Sequence, residues 1–366
     1  MGTSTPPNPT GDKKKMDGWT DNKFDPNEET AAGSIRTLDS CFYLYTFCRV
    51  PPSSEVRLQT PADTSRSLSS AGQTMALQAR ALVSTKWLAD ALTTRGKMRV
   101  LDSSWYLPKM GRNAKKEFKE RHIPGAAFFD IDQCCDKTSP LDHMLPPEKV
   151  FADYVGNLGI ENDTHVVIYD RSDFGAFSAP RVWWMFRVFG HDAVSLLNGG
   201  FRNWELEGRP VSDKHVRPSP TEFKASLKRS WIKTYDDLLN NLDTKAFQVV
   251  DARSAGRFRG VDPEPRDNTE PGHIPGSASI PFQSCLSESG HFLPKESLRE
   301  LFVQAGVDLG RPVCVSCGSG VTACVLALAA HECGHPGVSL YDGAWSEWYT
   351  RAVPEHIISE GRGKHL

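Results

Sequence analysis

Hydrophobic residues along most of the chain fall into short apolar runs that alternate with longer helical stretches. Residues 166–169 and 313–316 are β-branched runs of strand length, whereas residues 180–189 and 322–333 have the length of helices. Each predicted helix is followed at once by a glycine, which suits the left-handed C′ position at which helices end. This alternation predicts an α/β fold, in which small parallel sheets carry helices on both faces.

The first 74 residues differ in composition from the rest of the chain. They are rich in Ser, Thr, Pro, Asn and charge, and their one strongly apolar stretch is the aromatic cluster at residues 41–48. Because such a segment buries little apolar surface, residues 1–74 are predicted to be a disordered N-terminal extension. The folded part follows, and Ser84 is expected to cap a first helix that carries Trp87 and Leu88 on one face.

An internal repeat organises the folded part, since four segments recur in the same order, each displaced by about one domain length. The matching pairs are VLDSSWY from Val100 and VVDARSAGRF from Val249; HIPGAAFFDI from His122 and HIPGSASIPF from His273; VVIYD ending at Asp170 and VCVSC ending at Cys317; and FGHDAVSLLNGGFRNW ending at Trp204 and CGHPGVSLYDGAWSEW ending at Trp348. The repeat implies a duplicated domain.

The repeat sets the predicted domain bounds. A proline-rich segment without periodic apolar residues separates the two copies and reads as the interdomain linker. The predicted organisation is a first domain at 80–207, a linker at 208–224, a second domain at 225–357 and a C-terminal tail at 358–366.

Composition narrows the function classes. The 366 residues are 39% hydrophobic and 24% charged with a formal net charge of −2, so no global field favours nucleic acid or an anionic membrane. The apolar stretch at residues 41–48 is too short to span a bilayer. Nine cysteines without regular spacing indicate a reducing compartment, and we expect a protein of the cytoplasm and mitochondrion.

The candidate chemistry lies at the carboxyl ends of the third pair of segments, where open α/β sheets bind ligands. The first copy has Asp170 there, and the second has Cys317 at the start of CGSGVTAC. Gly318 and Gly320 let this loop curl, and Thr322 is expected to cap the following helix. Main-chain N–H groups and a helix N-terminus stabilise a thiolate or a persulfide anion. A buried structural cysteine is the alternative, but the glycine-rich loop favours a nucleophile.

At these residues the chain resembles the rhodanese superfamily, and the resemblance runs from about Arg80 to the C-terminal SEGRGK. The segments that carry it are both HIPG motifs, SAPRVWWMFR, RFRG, EPRD, CGSGVTAC and YDGAWSEWY. The resemblance implies two tandem rhodanese-like domains, of which the first is non-catalytic and the second carries a persulfide on Cys317.

The resemblance also implies roles for further residues. Arg257 and Arg266 match the pair that binds the substrate, and planar guanidinium groups suit carboxylate and ketone oxygens. Ser319, His143 and Asp132 match a proton relay, in which Asp132 orients His143 and His143 activates Ser319. The substrate is expected to lie on the loop formed by Gly318, Gly320, Val321 and Thr322. Because the relay draws on both domains, we expect the site at their interface. Surface arginines paired with Glu264 or Glu270 are the alternative for Arg257 and Arg266.

The loop also indicates the substrate class. Sulfurtransferases of this family that use thiosulfate carry Arg and Lys where Gly318 and Ser319 stand, so a small neutral loop favours 3-mercaptopyruvate. The resemblance then implies release of pyruvate in cysteine catabolism, and sulfur transfer to cyanide or a thiol. With thioredoxin or a small dithiol as acceptor, hydrogen sulfide would be released. No cofactor or metal is expected, and we expect a monomer or a weak dimer. Phe177 departs from the family pattern, which has tyrosine there.

Other interpretations of the cysteines are weaker. Cys314 and Cys317 form a C-x-x-C, but Cys314 lies inside the predicted strand, whereas redox pairs start at a helix. Zinc would need partners that Cys324 and Cys333 lack at suitable spacing. A related phosphatase would need Arg at the position of Ala323. Two alternatives remain open: a thiosulfate sulfurtransferase, and a non-enzymatic redox-sensing or sulfur-carrier module.

Overall fold

A computed structural model describes Gly2, residues 80–94 and residues 96–364. Both sheets described below belong to one compact unit at residues 73–366. The predicted disordered extension at residues 1–74, with its aromatic cluster, lies outside the described residues except for Gly2.

The first half of the described chain forms a five-stranded sheet in the order β1-β5-β4-β2-β3, in which every pair is parallel. Its strands are β1 (Leu82–Val83), β2 (Met98–Asp102), β3 (Ala127–Phe128), β4 (His165–Tyr169) and β5 (Val194–Leu197). Its helices are α1 (Thr85–Leu92), α2 (Ala114–Glu120), α3 (Glu148–Asn157), α4 (Ala179–Val188) and α5 (Gly200–Leu206), with a 3₁₀ turn at Pro108–Met110. In the central register, Val100 of β2 lies opposite Val167 of β4.

The second half repeats this topology as a five-stranded parallel sheet in the order β6-β10-β9-β7-β8. Its strands are β6 (Ile232–Lys233), β7 (Gln248–Asp251), β8 (Ala278–Ser279), β9 (Val313–Ser316) and β10 (Ser339–Tyr341). Its helices are α6 (Tyr235–Thr244), α7 (Ala255–Arg259), α8 (Lys295–Gln304), α9 (Ala323–Glu332) and α10 (Ala344–Arg351), with 3₁₀ turns at Arg229–Trp231, Phe282–Cys285 and Pro354–His356. The identical strand order confirms the predicted duplication.

Successive residues of the central strands face different layers of helices. Val100 packs in one cluster with Leu88 of α1 and Trp204 of α5, whereas its neighbour Leu101 packs in another cluster with Phe151 of α3. Because side chains alternate across a strand, the two clusters lie on opposite faces of the sheet. Helices on both faces are therefore confirmed.

The repeated motifs keep the same structural contacts in both copies. His122 and His273 each place Nδ1 2.8 Å from a carbonyl oxygen of the preceding helix. Each also pairs its backbone in an antiparallel bridge, with Ser212 and Ile358 respectively. These buried or half-buried contacts give the HIPG histidines a structural role, which explains their presence in both copies.

Helices α4 and α9 join the two halves. All ten residues of α4 and eight of the ten residues of α9 are buried. Both helices belong to one hydrophobic cluster that includes Val166 of β4 and Val315 of β9. A helix that is buried around its circumference must be covered on all sides, and these two helices contact each other. The two sheets therefore share a continuous core.

The predicted helix ends are confirmed, and one predicted cap is wrong. Gly190 and Gly334 follow α4 and α9 with φ values of 86° and 93°, the left-handed conformation that glycine favours. Ser84 accepts a hydrogen bond from the N–H of Trp87 at 3.1 Å. Thr322 precedes α9 but its side chain makes no capping hydrogen bond, because its backbone (φ −70°, ψ −18°) is already helical.

The segment at residues 208–224 contains no helix, and its one β-bridge residue is Ser212. Its role as a linker and the predicted domain bounds stay predictions. Among the described residues no helix has the length and apolar character needed to cross a membrane.

The contact between α4 and α9 predicts a pH dependence of stability. His331 of α9 packs against Trp183, with ring centroids 5.4 Å apart, and its Nε2 lies 3.2 Å from Nη1 of Arg187. Burial, and then the Arg187 charge, lower the pKa of His331 to about 4. Since the unfolded chain binds this proton near pH 6.5, protonation favours unfolding as pH falls from about 6.5 to 4.

We expect the wild-type free energy of unfolding to fall by about 1–2 kcal/mol more over this pH range than that of His331→Gln, after allowance for partial solvent access. Urea denaturation at several pH values measures the difference. The comparison at pH 7.5, where the histidine is neutral in both states, controls for the change in packing. Parallel pH curves for the two proteins would contradict the prediction.

Candidate active site

Cys317 lies directly after β9, at the start of the loop that leads into α9. It is 2% exposed and lines a cavity of about 260 Å³. The first half of the chain contributes aromatic side chains to the cavity wall, among them Trp105 and Phe177, and the second half contributes the loop. The predicted nucleophile is thus at a strand end and at the interface between the two sheets.

The loop leaves a row of main-chain donors free. The carbonyl oxygens of Cys317 and Gly318 accept hydrogen bonds from the N–H groups of Trp345 and Ser346, at 2.9 and 3.2 Å. In contrast, the N–H groups of residues 318–322 donate to no nitrogen or oxygen acceptor among residues 80–94 and 96–364. Successive free N–H groups beside a helix N-terminus form a site for an anion, as a persulfide requires.

The equivalent position of the first domain shows what such a loop accepts. Asp170 follows β4 and is buried, and its carboxylate accepts hydrogen bonds from four main-chain N–H groups at 2.7–2.9 Å. The donors belong to Ser172, Phe177, Ser178 and Ala179. Burial raises the pKa of this carboxyl, and the four donors oppose that shift. In the first domain a side chain of the protein therefore fills the anion site.

The three residues of the predicted relay are in contact. Oδ1 of Asp132 lies 3.0 Å from Nε2 of His143, and Nδ1 of His143 lies 3.3 Å from Oγ of Ser319. A carboxylate that accepts from Nε2–H leaves Nδ1 free to accept the Ser319 hydroxyl proton. Burial alone would raise the pKa of Asp132, but the hydrogen bond and charge of His143 lower it below its usual range.

A second cavity, of about 940 Å³, adjoins the relay. Asp132 and His143 line this cavity, whereas Cys317 and Ser319 line the smaller one. Trp105 lines both cavities. The three relay residues therefore lie between the two cavities, with Asp132 and His143 lining one and Ser319 lining the other.

Both predicted substrate arginines line the 260 Å³ cavity, and each is paired with a carboxylate. Arg257 binds Glu264, with Nε 3.1 Å from Oε1, so the alternative pairing considered from the sequence is present. Arg266 binds Oδ2 of Asp142 through Nε and Nη2, at 3.1 and 3.0 Å. Arg259, by contrast, pairs with Glu360 and is absent from the cavity wall.

Gly318 brings the thiol loop close to these arginines. A Cβ atom at Gly318 would lie 3.0 Å from Nη2 of Arg257 and 3.6 Å from Nη1 of Arg266. A side chain there would therefore crowd the guanidinium group of Arg257 and touch that of Arg266. Val321 and Thr322 also line the cavity, as predicted for substrate contacts. Gly320 differs from the prediction, because it is no part of the cavity wall and lies against Arg181 and Asp342.

Sequence reasoning missed several residues of the site. Trp105 donates from Nε1 to Oδ2 of Asp132 at 3.0 Å, and its ring packs edge-on against His143 with centroids 4.7 Å apart. Asp142 holds Arg266. Asp142 directly precedes His143, so proximity in sequence was the available signal.

Known proteins resemble the chain over this same region. The rhodanese-like domain model matches residues 84–207 and 234–351. The chain is 59% identical over 288 residues to 3-mercaptopyruvate sulfurtransferase of Homo sapiens, covering 78% of this chain and 97% of the relative. It is 56% identical over 288 residues to thiosulfate sulfurtransferase of Rattus norvegicus, covering 77% and 96%.

Among solved structures, SseA of Escherichia coli, described as a 3-mercaptopyruvate sulfotransferase, superposes with a TM-score of 0.66 at 37% identity. The match covers 72% of this chain and 98% of SseA. The chain belongs to the rhodanese family.

The filled anion site of the first domain generates a prediction on stability. Asp170→Ala removes the acceptor of four main-chain N–H groups next to a buried helix start. Since each buried donor without a partner costs about 1–3 kcal/mol, we expect a loss of about 3 kcal/mol or more in the free energy of unfolding, measured by urea denaturation. Asp173→Ala, an exposed site in the same loop, is the matched control and should change it by less than about 0.5 kcal/mol. Equal effects of the two substitutions would contradict the prediction.

Proposed function

We propose that this protein transfers the sulfur of 3-mercaptopyruvate to a thiol or cyanide through a persulfide on Cys317, and releases pyruvate. The observation that carries the proposal is the placement of Gly318, which leaves room for two arginines beside a cysteine whose loop has free N–H groups. The named activity of the human and Escherichia coli relatives supports this substrate.

The substrate would bind through its oxygens. Arg257 and Arg266 present planar donors to a carboxylate and the adjacent ketone, in place of part of their contacts with Glu264 and Asp142. These carboxylates hold the guanidinium groups in position before the substrate arrives. Binding at this end directs the substrate sulfur toward Cys317, which lines the same cavity.

The first half-reaction breaks a carbon–sulfur bond. The Cys317 thiolate attacks the substrate sulfur, the C–S bonding pair passes to C3, and the enolate of pyruvate forms. The substrate thiol proton is taken by Ser319, supported by His143 and Asp132, and is returned to C3. The products are pyruvate and a Cys317 persulfide anion, which the N–H groups of residues 318–322 stabilise.

The second half-reaction regenerates the thiolate. Cyanide attacks the outer sulfur, the S–S bond breaks and thiocyanate leaves. A thiol attacks in the same way and becomes a persulfide, and a dithiol, small or on thioredoxin, then closes to a disulfide and releases hydrogen sulfide. Each path returns the electron pair of the S–S bond to Cys317.

Thiosulfate is the second candidate donor, since the chain is 56% identical to a thiosulfate sulfurtransferase. A dianion favours cations next to the nucleophile, whereas Gly318 and Ser319 are neutral. We therefore rank thiosulfate below 3-mercaptopyruvate.

We also propose that the protein acts in the cytoplasm and mitochondrion as a monomer or weak dimer. The seven cysteines of the described residues are free thiols. Cys317 and five others are buried and Cys135 is half-buried, and free thiols of this kind suit a reducing compartment. Cell fractionation with an antibody to the full chain tests the location. Detection of the protein in the culture medium alone would contradict the proposed location.

Cys317→Ser should lower pyruvate formation from 3-mercaptopyruvate by about 1000-fold or more, because the attacking thiolate is lost. Cys135→Ser is the matched control, since this half-buried thiol lines the other cavity, and its rate should stay within about twofold of the wild type. Pyruvate production at the wild-type rate by Cys317→Ser would contradict the proposed function.

Donor choice is predicted to depend on the loop. Wild-type protein should have a higher kcat/KM with 3-mercaptopyruvate than with thiosulfate. Gly318→Arg combined with Ser319→Lys should lower this ratio by about tenfold or more, because the new arginine displaces Arg257 and both cations attract the dianion. Steady-state kinetics with cyanide as common acceptor measures both values. A wild-type preference for thiosulfate would reverse the ranking.

A further inference from the structure

A buried arginine of the first domain contacts both catalytic loops. Arg181 lies on α4 and is 1% exposed. Its Nη2 donates to the carbonyl oxygen of His143 at 2.6 Å, and its Nη1 donates to the carbonyl oxygen of Gly320 at 3.2 Å. One guanidinium group therefore connects the relay loop of the first domain with the thiol loop of the second.

The counter-charge comes from the second domain. Asp342 follows β10 and is 3% exposed. Its Oδ1 lies 2.8 Å from Nη2 of Arg181, so the two side chains form an ion pair, although the angles at this oxygen do not fit a hydrogen bond. Its Oδ2 accepts the N–H of Leu145 at 2.7 Å. A buried guanidinium group is costly without an opposite charge, so each residue of this pair needs the other in place.

The pair acts on a strained segment. His143 has φ 62°, a left-handed conformation that a non-glycine residue keeps only when its surroundings hold it. Arg181 binds the carbonyl group of His143, and Asp342 binds the backbone two residues later, at Leu145. The two contacts fix the segment on both sides of the imidazole, which must reach Ser319 at 3.3 Å.

The same pair fixes the thiol loop. The Gly320 carbonyl group is bound by Arg181, and the thiol of Cys324 lies 3.5 Å from the same oxygen. Because the carbonyl and the following N–H of one planar peptide point in opposite directions, fixing this carbonyl also fixes the N–H of Val321. That N–H belongs to the row of free donors of the loop.

We propose that Arg181 and Asp342 are positioning residues, which hold His143 of one domain in register with Ser319 and the anion loop of the other. The inference rests on the proposed function. It gives the interdomain ion pair a role in positioning the groups that act in the chemical step. Among the described residues the substrate arginines form no hydrogen bond or ion pair with Arg181 or Asp342, so donor binding is left to them.

Steady-state kinetics on the full chain tests the assignment. Arg181→Lys and Asp342→Asn should each lower kcat with 3-mercaptopyruvate by about tenfold or more, with the KM changed by less than twofold. Arg187→Lys is the matched control: it is a buried arginine on the same helix that contacts His331 of the second domain, away from both loops, and its kcat should stay within twofold. A raised KM at unchanged kcat in the two variants would overturn the proposal.

A double-mutant cycle separates positioning from general loss of structure. If Arg181 acts through His143 and Ser319, Arg181→Lys should cost less than threefold in kcat in a Ser319→Ala background. If the kcat of the double variant fell by the product of the factors lost in the two single variants, the proposal would be overturned. Should Arg181→Lys be insoluble, the same cycle with Asp342→Asn decides, since asparagine can still accept the N–H of Leu145.

A measurement that needs no turnover distinguishes this proposal from the proposed function. In histidine ¹⁵N-labelled protein, the imidazole signal that disappears in His143→Gln should shift in Arg181→Lys and stay unchanged in Arg187→Lys. An unchanged signal in Arg181→Lys overturns the positioning role. A wild-type protein that forms no pyruvate refutes the proposed function instead, whatever the spectrum shows.

Discussion

Negative charge held by main-chain N–H groups at the end of a parallel strand is the interaction on which both halves of this molecule depend. In the first half the buried carboxyl group of Asp170 occupies this position and accepts hydrogen bonds from four donors. In the second half the corresponding residue is Cys317, and the donors of its loop stay free. The corresponding strand ends thus carry a filled site in the first copy and a row of free donors beside a thiol in the second.

The remaining parts of the site require both halves together. The imidazole that serves Ser319 comes from the first domain, and Arg266 of the second is held by Asp142 of the first. The shared core of α4 and α9 brings these loops together. Arg181 takes part in both the helix packing and the site, because its backbone lies in the buried helix α4 and its guanidinium group lies between the two loops. Helix packing thus sets the distance between a proton acceptor and a nucleophile.

Much of the fold follows from sequence pattern, because strand runs and helix ends are local properties. The strands at 166–169 and 313–316 and the glycines after α4 and α9 were predictable in this way, and the repeat predicted the duplicated topology. The relay came from family resemblance, since residues 11 and 176 positions apart have no local signal. Trp105, Arg181 and Asp342 were missed because each acts through partners distant in sequence. Thr322 failed as a cap because its own backbone is already helical.

The continuous core has a consequence for whether the two copies can exist apart. Duplication alone would give two domains that could each fold independently. Here α9, apolar on nearly every side, has its neighbour in the other copy. Separation of the two copies would expose an apolar surface about one helix long on each domain, and such surfaces favour aggregation. The two copies therefore depend on each other for a covered core, whichever of them carries the reactive thiol.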